Sequence, residues 1–267
     1  MKISPIHPAD FHRIKHLKPD GWPDLIPEFQ FYCKHDFCLP YKAELQGETV
    51  GLGTIILFRG TAWLAHIIVD KNQRNQGIGK TIVQFLLREL ENHNLKSISL
   101  IATPLGKPVY QKCGFRVVSE YTFLRRKEAW FAPVGEGNVI DFQDEYRESL
   151  LKLDKEITGE DREDLLNKYL PQARIMVNGP SIEGYYFPNL REGAIFAPSA
   201  FAGIELMKQK FAKADKAVIP SENTTAIQFL EQHGFQKVAS NGTRMILGED
   251  IPWKPENYYS RIGGNFG

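Results

Sequence analysis

The chain has 267 residues, a length that at roughly 150 residues per domain allows two domains or one large one. Hydrophobic residues make up 42% and charged residues 24%, which is typical of a soluble globular protein. The 33 Lys and Arg against 32 Asp and Glu leave a net charge of +1. This balance lacks the broad field that general binders of nucleic acid or acidic membranes use, so we expect neither partner and predict that any anionic ligand is held locally.

The termini and cysteines indicate a cytoplasmic protein. Residues 1–16 are too polar for a secretory signal, and no later run approaches the length of a membrane span. Cys33, Cys38 and Cys113 are an odd number, which argues against a disulfide framework. Cys33, His35 and Cys38 lie close in sequence, but no second ligand pair follows at a usable spacing, so we predict no metal site.

The first half of the chain is predicted to contain helices, three strands, a helix, a strand, a helix and further strands. Two short helices carry the apolar positions up to Phe31, with a corner at Gly21-Trp22-Pro23. The other predicted elements are strands at 41–45, 50–58 and 63–69, an amphipathic helix at 77–91, a strand at 96–102, a short helix before Gly114 and strand structure at 116–126.

A linker at 133–137 precedes a second half with a similar element order. Its predicted elements are strands at 139–142, 174–177, 181–187, 194–197 and 216–220, a helical stretch at 145–169 broken at Gly159, helices at 201–212 and 224–233, and a hairpin over 235–247 that turns at Asn241-Gly242.

A sequence echo supports a duplication. Residues 109–115 align with residues 229–235 at an offset of 120, and both segments end in Gly-Phe. Glycine at the end of a helix adopts the left-handed cap, and the following Phe anchors the next strand. Together with the shared element order, this predicts two copies of one fold. We predict domains at 1–127 and 138–250 and a tail at 251–267 that packs back or swaps to a partner, so a monomer and a homodimer both remain open.

The junction between the strand ending at Val69 and the next helix predicts a phosphate site. Gly77 and Gly79 allow close backbone approach, and the helix N-terminus carries a partial positive charge. A Walker A loop would need glycine where the chain has Arg74, and a dinucleotide fingerprint would need glycine at Ile82. Both of these motifs are therefore excluded.

The remaining pattern is Arg74-x-x-Gly77-x-Gly79, which follows a buried strand and precedes a distant Tyr110 and its Gly-Phe pair. It resembles the acetyl-CoA site of the GCN5-related N-acetyltransferase (GNAT) family, and the whole chain is similar to tandem members of that family. The resemblance implies an α/β (α+β) fold with two tandem GNAT-like domains, each a mixed, mostly antiparallel sheet flanked by helices. The second copy would be degenerate.

The resemblance also implies roles for individual residues. The strand backbone at residues 67–69 would pair with the pantetheine arm, the amides at 75–80 would hold the pyrophosphate, and Tyr110 would be the general acid. An alternative role for Tyr110 is packing on the sheet. The implied cofactor-binding residues are Ile67, Ile68, Val69, Arg74, Asn75, Gln76, Gly77, Ile78, Gly79 and Lys80.

His66 is the predicted general base because a histidine has a suitable intrinsic pKa, although a structural core histidine is an equal alternative. Carboxylates on an earlier strand and around Trp22 could instead take the proton or bind a positively charged acceptor. They are Glu44, Asp20, Asp24 and Glu28. We predict Trp22, Asp24 and Glu28 as the acceptor-binding residues.

Departures from the family pattern concern both copies. Thr103 stands where the family often has asparagine, which puts one cofactor contact in doubt. In the second half, Asn223 fits that pattern, but Leu230 replaces the tyrosine and residues 197–203 lack the glycine motif. The second copy is therefore not expected to bind CoA productively. It would close the acceptor cleft or supply specificity residues such as Asp154, Asp161 and Arg162, for which an exposed charged helix is the alternative.

These observations predict an enzyme that transfers acetyl from acetyl-CoA to a primary amine of a small molecule by direct attack. A non-catalytic acyl-CoA-binding or regulatory protein is the alternative, and a longer acyl donor is a third hypothesis.

Overall fold

The computed structural model describes residues 1–128 and 138–267, so the predicted linker at 133–137 lies outside the described residues. The chain forms two compact units, and each contains more than one stretch of the sequence. The first unit comprises Met1–Arg116, Met245–Glu249 and Phe266; the second comprises Val117–Arg244, Asp250–Asn265 and Gly267. The predicted sequence domains differ from these units mainly at 117–127 and 245–249.

The first unit is a sheet in the order β1-β2-β3-β4-β5 with helices around it. Strand β4 runs parallel to β5, and the other pairs are antiparallel. The elements are β1 Lys2–Pro5, α1 Phe11–Ile14, α2 Ile26–Cys33, β2 Cys38–Leu45, β3 Glu48–Phe58, β4 Thr61–Val69, α3 Ile78–Glu89, β5 Ser97–Ala102 and α4 Lys107–Gln111.

Local sequence explains the hairpins and the main helix of this unit. Gln46 and Gly47 both have positive φ, at 52° and 85°, the conformation that a tight hairpin turn requires. Helix α3 packs its apolar face on β3 at Gly53, where an added Cβ would lie 2.8 Å from Ile82 and 2.9 Å from Leu86. The predicted amphipathic helix is confirmed, and each buried Ile or Leu contributes about 1.5–3 kcal/mol.

The second unit contains a sheet in the order β13-β10-β9-β8-β7 and the strand group β12-β6-β11. The elements are β6 Arg116–Arg125, β7 Val139–Asp141, α5 Arg147–Thr158, α6 Glu163–Leu166, β8 Arg174–Asn178, β9 Ser181–Phe187, β10 Ala194–Phe196, α7 Ala200–Phe211, β11 Lys216–Pro220, α8 Thr224–Gln232, β12 Gln236–Gly248 and β13 Tyr258–Ser260.

The Gly-Phe echo has the same structure in both units. Gly114 and Gly234 have φ of 92° and 82°, and the following phenylalanines are buried. The N–H of Phe115 donates to the Tyr110 carbonyl at 3.1 Å, and the N–H of Phe235 donates to Leu230 at 3.0 Å. The predicted helix end is therefore confirmed in each copy.

The structure differs from the sequence predictions for the last part of the chain in two places. The predicted hairpin over 235–247 is wrong, because β12 is one continuous strand. It supplies Gln236 to Arg244 to the second unit and its end to the first, and a chain reversal at Asn241-Gly242 would prevent this. The predicted tail is largely part of the second unit and contains β13. Among the described helices, none has the length and apolar character needed to cross a membrane.

Candidate functional site

Strand β4 has a bulge at its centre and a bare edge beyond it. Leu52 pairs with Ile68 while Thr54 pairs with Ala65, so two residues of β4, His66 and Ile67, oppose the single residue Gly53. The ladder to β5 covers residues 61–63 of β4. Over the described part of the chain, residues 67–69 therefore have no strand partner on the side away from β3.

The turn after β4 presents backbone N–H groups. Asp70 caps a short 3-10 turn by accepting from the Asn72 N–H at 2.8 Å, and Asn75 and Gly77 have φ of 62° and 81°. The first bond of helix α3 runs from the Thr81 N–H to the Gly77 carbonyl at 3.0 Å. Within residues 1–128 and 138–267, the amides of 75–80 have no acceptor, as is usual at a helix start. Anions bind well at such a row of amides.

The backbone conformation requires glycine at Gly77 but not at Gly79. Gly77 has the left-handed conformation that starts α3, and nothing lies within 4 Å of an added Cβ. Gly79 lacks positive φ, and an added Cβ would make only ordinary contacts, 3.6 Å from Val69 and 4.0 Å from Val109. The Arg74 Nε donates to the Val69 carbonyl at 3.3 Å, which ties the turn to the end of β4. The Ile78 side chain enters the core, so only its amide is available.

Tyr110 lies on α4 and is 8% exposed. An added Cβ at Gly106 would lie 2.8 Å from its ring, and the Phe115 ring centroid is 6.2 Å away. Burial, with a smaller effect from Cys113, raises the pKa of Tyr110 well above its ordinary value. Its hydroxyl has no hydrogen-bond partner in the described residues. The phenol thus stays protonated at neutral pH and keeps its donor available.

The predicted base, His66, has a φ of 48° in the bulge and is half-buried. Its Nδ1 lies 2.8 Å from the Tyr32 hydroxyl. Ring centroids of Trp22, Phe29 and Tyr32 lie 5.8, 5.8 and 5.6 Å from the imidazole. The bulge turns the ring to helix α2 and the residues before it. Sequence reasoning missed Tyr32, whose only signal is its place one turn after Glu28 in α2.

The predicted acceptor residues lie on helix α2 and just before it. Trp22 is 39% exposed and contacts the His66 ring edge to face. Asp24 is exposed and accepts a hydrogen bond from the Ile26 N–H at 3.1 Å. Glu28 is half-buried on the first turn of α2. Glu44, an alternative base, is engaged by Arg13 at 2.9 Å and Lys42 at 3.7 Å, so its carboxylate is already paired.

Two of the three residues that the sequence suggested for specificity, Asp154 and Arg162, are buried in the second unit. Asp154 and Arg162 are both 1% exposed, and the guanidinium donates to both carboxylate oxygens at 2.6 and 3.1 Å. This buried ion pair gives both residues a structural role, and a contact with an acceptor stays a prediction. Asp161 instead pairs with the exposed Lys155 at 3.1 Å.

The three cysteines are free thiols in the structure. The Cys33 Sγ donates to the Ile6 carbonyl at 3.5 Å. Over the ranges that the structure describes, no group of three His, Cys, Asp or Glu side chains could hold an ion.

Comparison with known proteins places both halves in one family. Two family models, each described as an acetyltransferase (GNAT) domain, match residues 34–128 and 150–260. No curated protein matches the chain at a significant level.

Solved structures share the fold over the whole chain. A Pyrococcus horikoshii protein, named provisionally as an acetyltransferase, is 22% identical with a TM-score of 0.82 over 100% of this chain and 95% of its own. A GCN5-related N-acetyltransferase from Sphaerobacter thermophilus is 14% identical with a TM-score of 0.65 over 95% of this chain and 98% of its own. These matches confirm the predicted tandem α/β fold with mostly antiparallel sheets. The chain belongs to the GNAT acetyltransferase family, with one domain of that family in each half.

Proposed function

We propose that the protein transfers an acetyl group from acetyl-CoA to a primary amine of a small molecule by direct attack. The observation that carries this proposal is the bare edge of β4, which is followed, after one short 3-10 turn, by the unpartnered amides of 75–80. An extended pantetheine arm offers amide groups to a strand edge, and a diphosphate matches a row of N–H groups at a helix start. In this proposal the sequence domain 1–127 supplies the cofactor site.

The fit can be tested at Gly79. Neither its φ nor the packing around it demands glycine, so room for a closely bound group is the physical reason that remains. The residues proposed to hold acetyl-CoA are Ile67, Ile68 and Val69 through their backbone, Asn75, Gln76, Gly77, Ile78, Gly79 and Lys80 through their amides, and Arg74 through its exposed guanidinium.

The proposed proton transfers use two side chains. Acetyl-CoA supplies the activated acetyl group as a thioester. His66 would accept a proton from the acceptor ammonium so that the neutral amine can attack. Tyr110 would donate its proton to the departing sulfur. Trp22 would contact the acceptor, and Asp24 and Glu28 would attract its positive charge.

A non-catalytic acyl-CoA-binding protein is the second candidate. The burial of Tyr110 favours it, because a phenol packed on Gly106 also has a purely structural role. A panel of small amines tested for acetyl-CoA-dependent release of free thiol distinguishes the two. Turnover with one amine supports the enzyme, and binding without thiol release from any amine supports the second candidate.

Replacing Gly77 by alanine tests the cofactor site. The left-handed φ of 81° costs an alanine about 1–2 kcal/mol, and this strain falls on the turn that carries the amides. We expect the Kd for acetyl-CoA, measured by calorimetry, to rise at least about tenfold, or about 1.4 kcal/mol.

Gly60→Ala is the matched control. Gly60 has a φ of 82° and the same open space, but it lies in the β3–β4 turn. Its substitution should therefore cost similar stability and leave the Kd within about twofold. Equal effects of the two substitutions on the Kd, or no binding by the wild type, would contradict the proposed site.

Replacing Tyr32 by phenylalanine tests the proposed base. For His66 Nε2 to accept a proton, Nδ1–H must donate to the Tyr32 oxygen, so this hydrogen bond holds the tautomer and ring orientation that a base needs. Its loss should remove that constraint and reduce kcat/KM several-fold.

Tyr41→Phe is the control because the Tyr41 hydroxyl also donates to a side chain, Glu89 at 2.9 Å, at another place in the first unit. The kcat/KM of this variant should match the wild type. An unchanged kcat/KM in Tyr32→Phe would show that His66 is not the base, or that Tyr32 does not position it.

A further inference from the structure

The second unit contains a counterpart of the cofactor site, and its strand edge is already covered. Strand β10 leads into helix α7 as β4 leads into α3. On the edge of β10 away from β9 lies β13, antiparallel, with Ile195 opposite Ser260 and Phe196 opposite Tyr258. The Ala197 N–H continues this pairing by donating to the Asn257 carbonyl at 3.0 Å. The equivalent edge of β4 has no such strand in the described residues.

Strand β13 also fills the space at the start of helix α7. An added Cβ at Gly203 would lie 2.2 Å from the Tyr259 ring, so the ring rests directly on the helix backbone. The Tyr259 hydroxyl donates to the Ser199 carbonyl at 3.3 Å. Ser199 itself caps the helix by accepting from the Ala202 N–H at 3.2 Å. The first turn of α7 is thus closed by a side chain of this chain, whereas the first turn of α3 is open.

The start of helix α8 also binds β13. Asn223, at the start of α8, accepts from the Ala226 N–H at 2.9 Å and donates its Nδ2 to the Tyr258 carbonyl at 3.1 Å. The one residue of the second copy that fits the family's cofactor-contacting asparagine therefore binds a backbone carbonyl of β13. The side chains of Tyr258 and Tyr259 are buried, which makes displacement of the segment costly.

We propose that residues 257–261 are a built-in occupant of the second unit's cleft, a peptide that takes the place of a pantetheine arm. The chain then has a single acyl-CoA site, and the second unit has a structural role. The equivalence of the two clefts rests on the function proposed for the first unit. The occupation by β13 rests only on the contacts within the second unit.

Hydrogen exchange of the full chain, followed by mass spectrometry with and without acetyl-CoA, tests both parts. Without ligand, peptides covering 257–261 should exchange as slowly as those of β9, and acetyl-CoA should not change them. Peptides covering 75–80 should become protected when acetyl-CoA is added. Calorimetry should give one equivalent per chain, and Gly77→Ala should weaken that single binding event.

The possible failures are distinct. Fast exchange at 257–261 in the free protein, deprotection of that segment by acetyl-CoA, or a second equivalent bound would each overturn the built-in occupant. Slow, ligand-independent exchange at 257–261 with no protection at 75–80 would support the occupant and contradict the function proposed for the first unit. Asn223→Ala should speed exchange at 257–261 and leave the protection of 75–80 by acetyl-CoA unchanged.

Discussion

Replacing Tyr110 by phenylalanine is expected to lower kcat for acetyl transfer by about 100- to 10,000-fold, the contribution typical of general acid catalysis. Burial keeps the phenol protonated well beyond neutral pH, and its hydroxyl has no partner among the described residues, so its proton is available to a departing sulfur. Phenylalanine keeps the ring against Gly106 and Phe115 and removes only the hydroxyl. The Kd for acetyl-CoA should stay within about threefold. Thiol release under saturating acceptor measures the loss.

The control is again Tyr41→Phe, which removes a buried phenol hydroxyl that donates to Glu89. We expect its kcat to remain within about twofold of the wild type. If Tyr110→Phe also keeps its kcat, Tyr110 is a packing residue of the first core and a different group protonates the sulfur. Equal losses in both variants would point to a general loss of stability, which thermal unfolding would reveal.

Features that depend on neighbours in sequence could be predicted. The glycine turn at Gly77, the amphipathic α3 and the two Gly-Phe helix ends each depend on local backbone conformation and the 3.6-residue period. Their signals lie within about ten residues, so a single sequence carries them. The loop motif and the echo at 229–235 were therefore sufficient for the family and the tandem order.

Features that depend on distant pairing could not be predicted. The apolar run over residues 63–69 gives no sign of the bulge that places His66 at φ 48°, because a bulge is defined by the register of the partner strand. The Tyr32 contact crosses 34 residues, and the cover of β10 by β13 crosses about 60. Strand β12, shared between the units, likewise has no local signal.

Charge alone also gave the wrong environment for part of helix α5. The sequence gives no reason to separate Asp154 from the other charged residues of this helix, Lys152, Lys155 and Glu156. In the structure Asp154 lies on the buried face of the helix. Its partners, Arg162 and Tyr185, are 8 and 31 residues away. A buried carboxylate needs such partners, and they become visible only in the fold.

The Asp154→Ala substitution should therefore destabilise the folded protein by about 3–5 kcal/mol, because it leaves the buried Arg162 charge without its partner. Tyr185 also donates to Asp154, at 2.6 Å, and loses its acceptor. Burial lowers the pKa of Arg162 and the Asp154 carboxylate raises it by more, so the substitution removes the main compensation for burying the guanidinium charge. The free energy of unfolding in urea, followed in the second unit, measures this effect.

Asp161→Ala provides the matched control. Asp161 also pairs with a cation, Lys155, but that lysine is 63% exposed, so the loss should be below about 1 kcal/mol. If Asp154→Ala does not fold, Tyr185→Phe should still show a smaller loss of about 1–2 kcal/mol from one hydrogen bond to a charged acceptor. Equal losses for Asp154→Ala and Asp161→Ala would contradict a structural role for the buried pair. A loss of acetyl transfer in Asp154→Ala without any loss of stability would instead return Asp154 to the acceptor site.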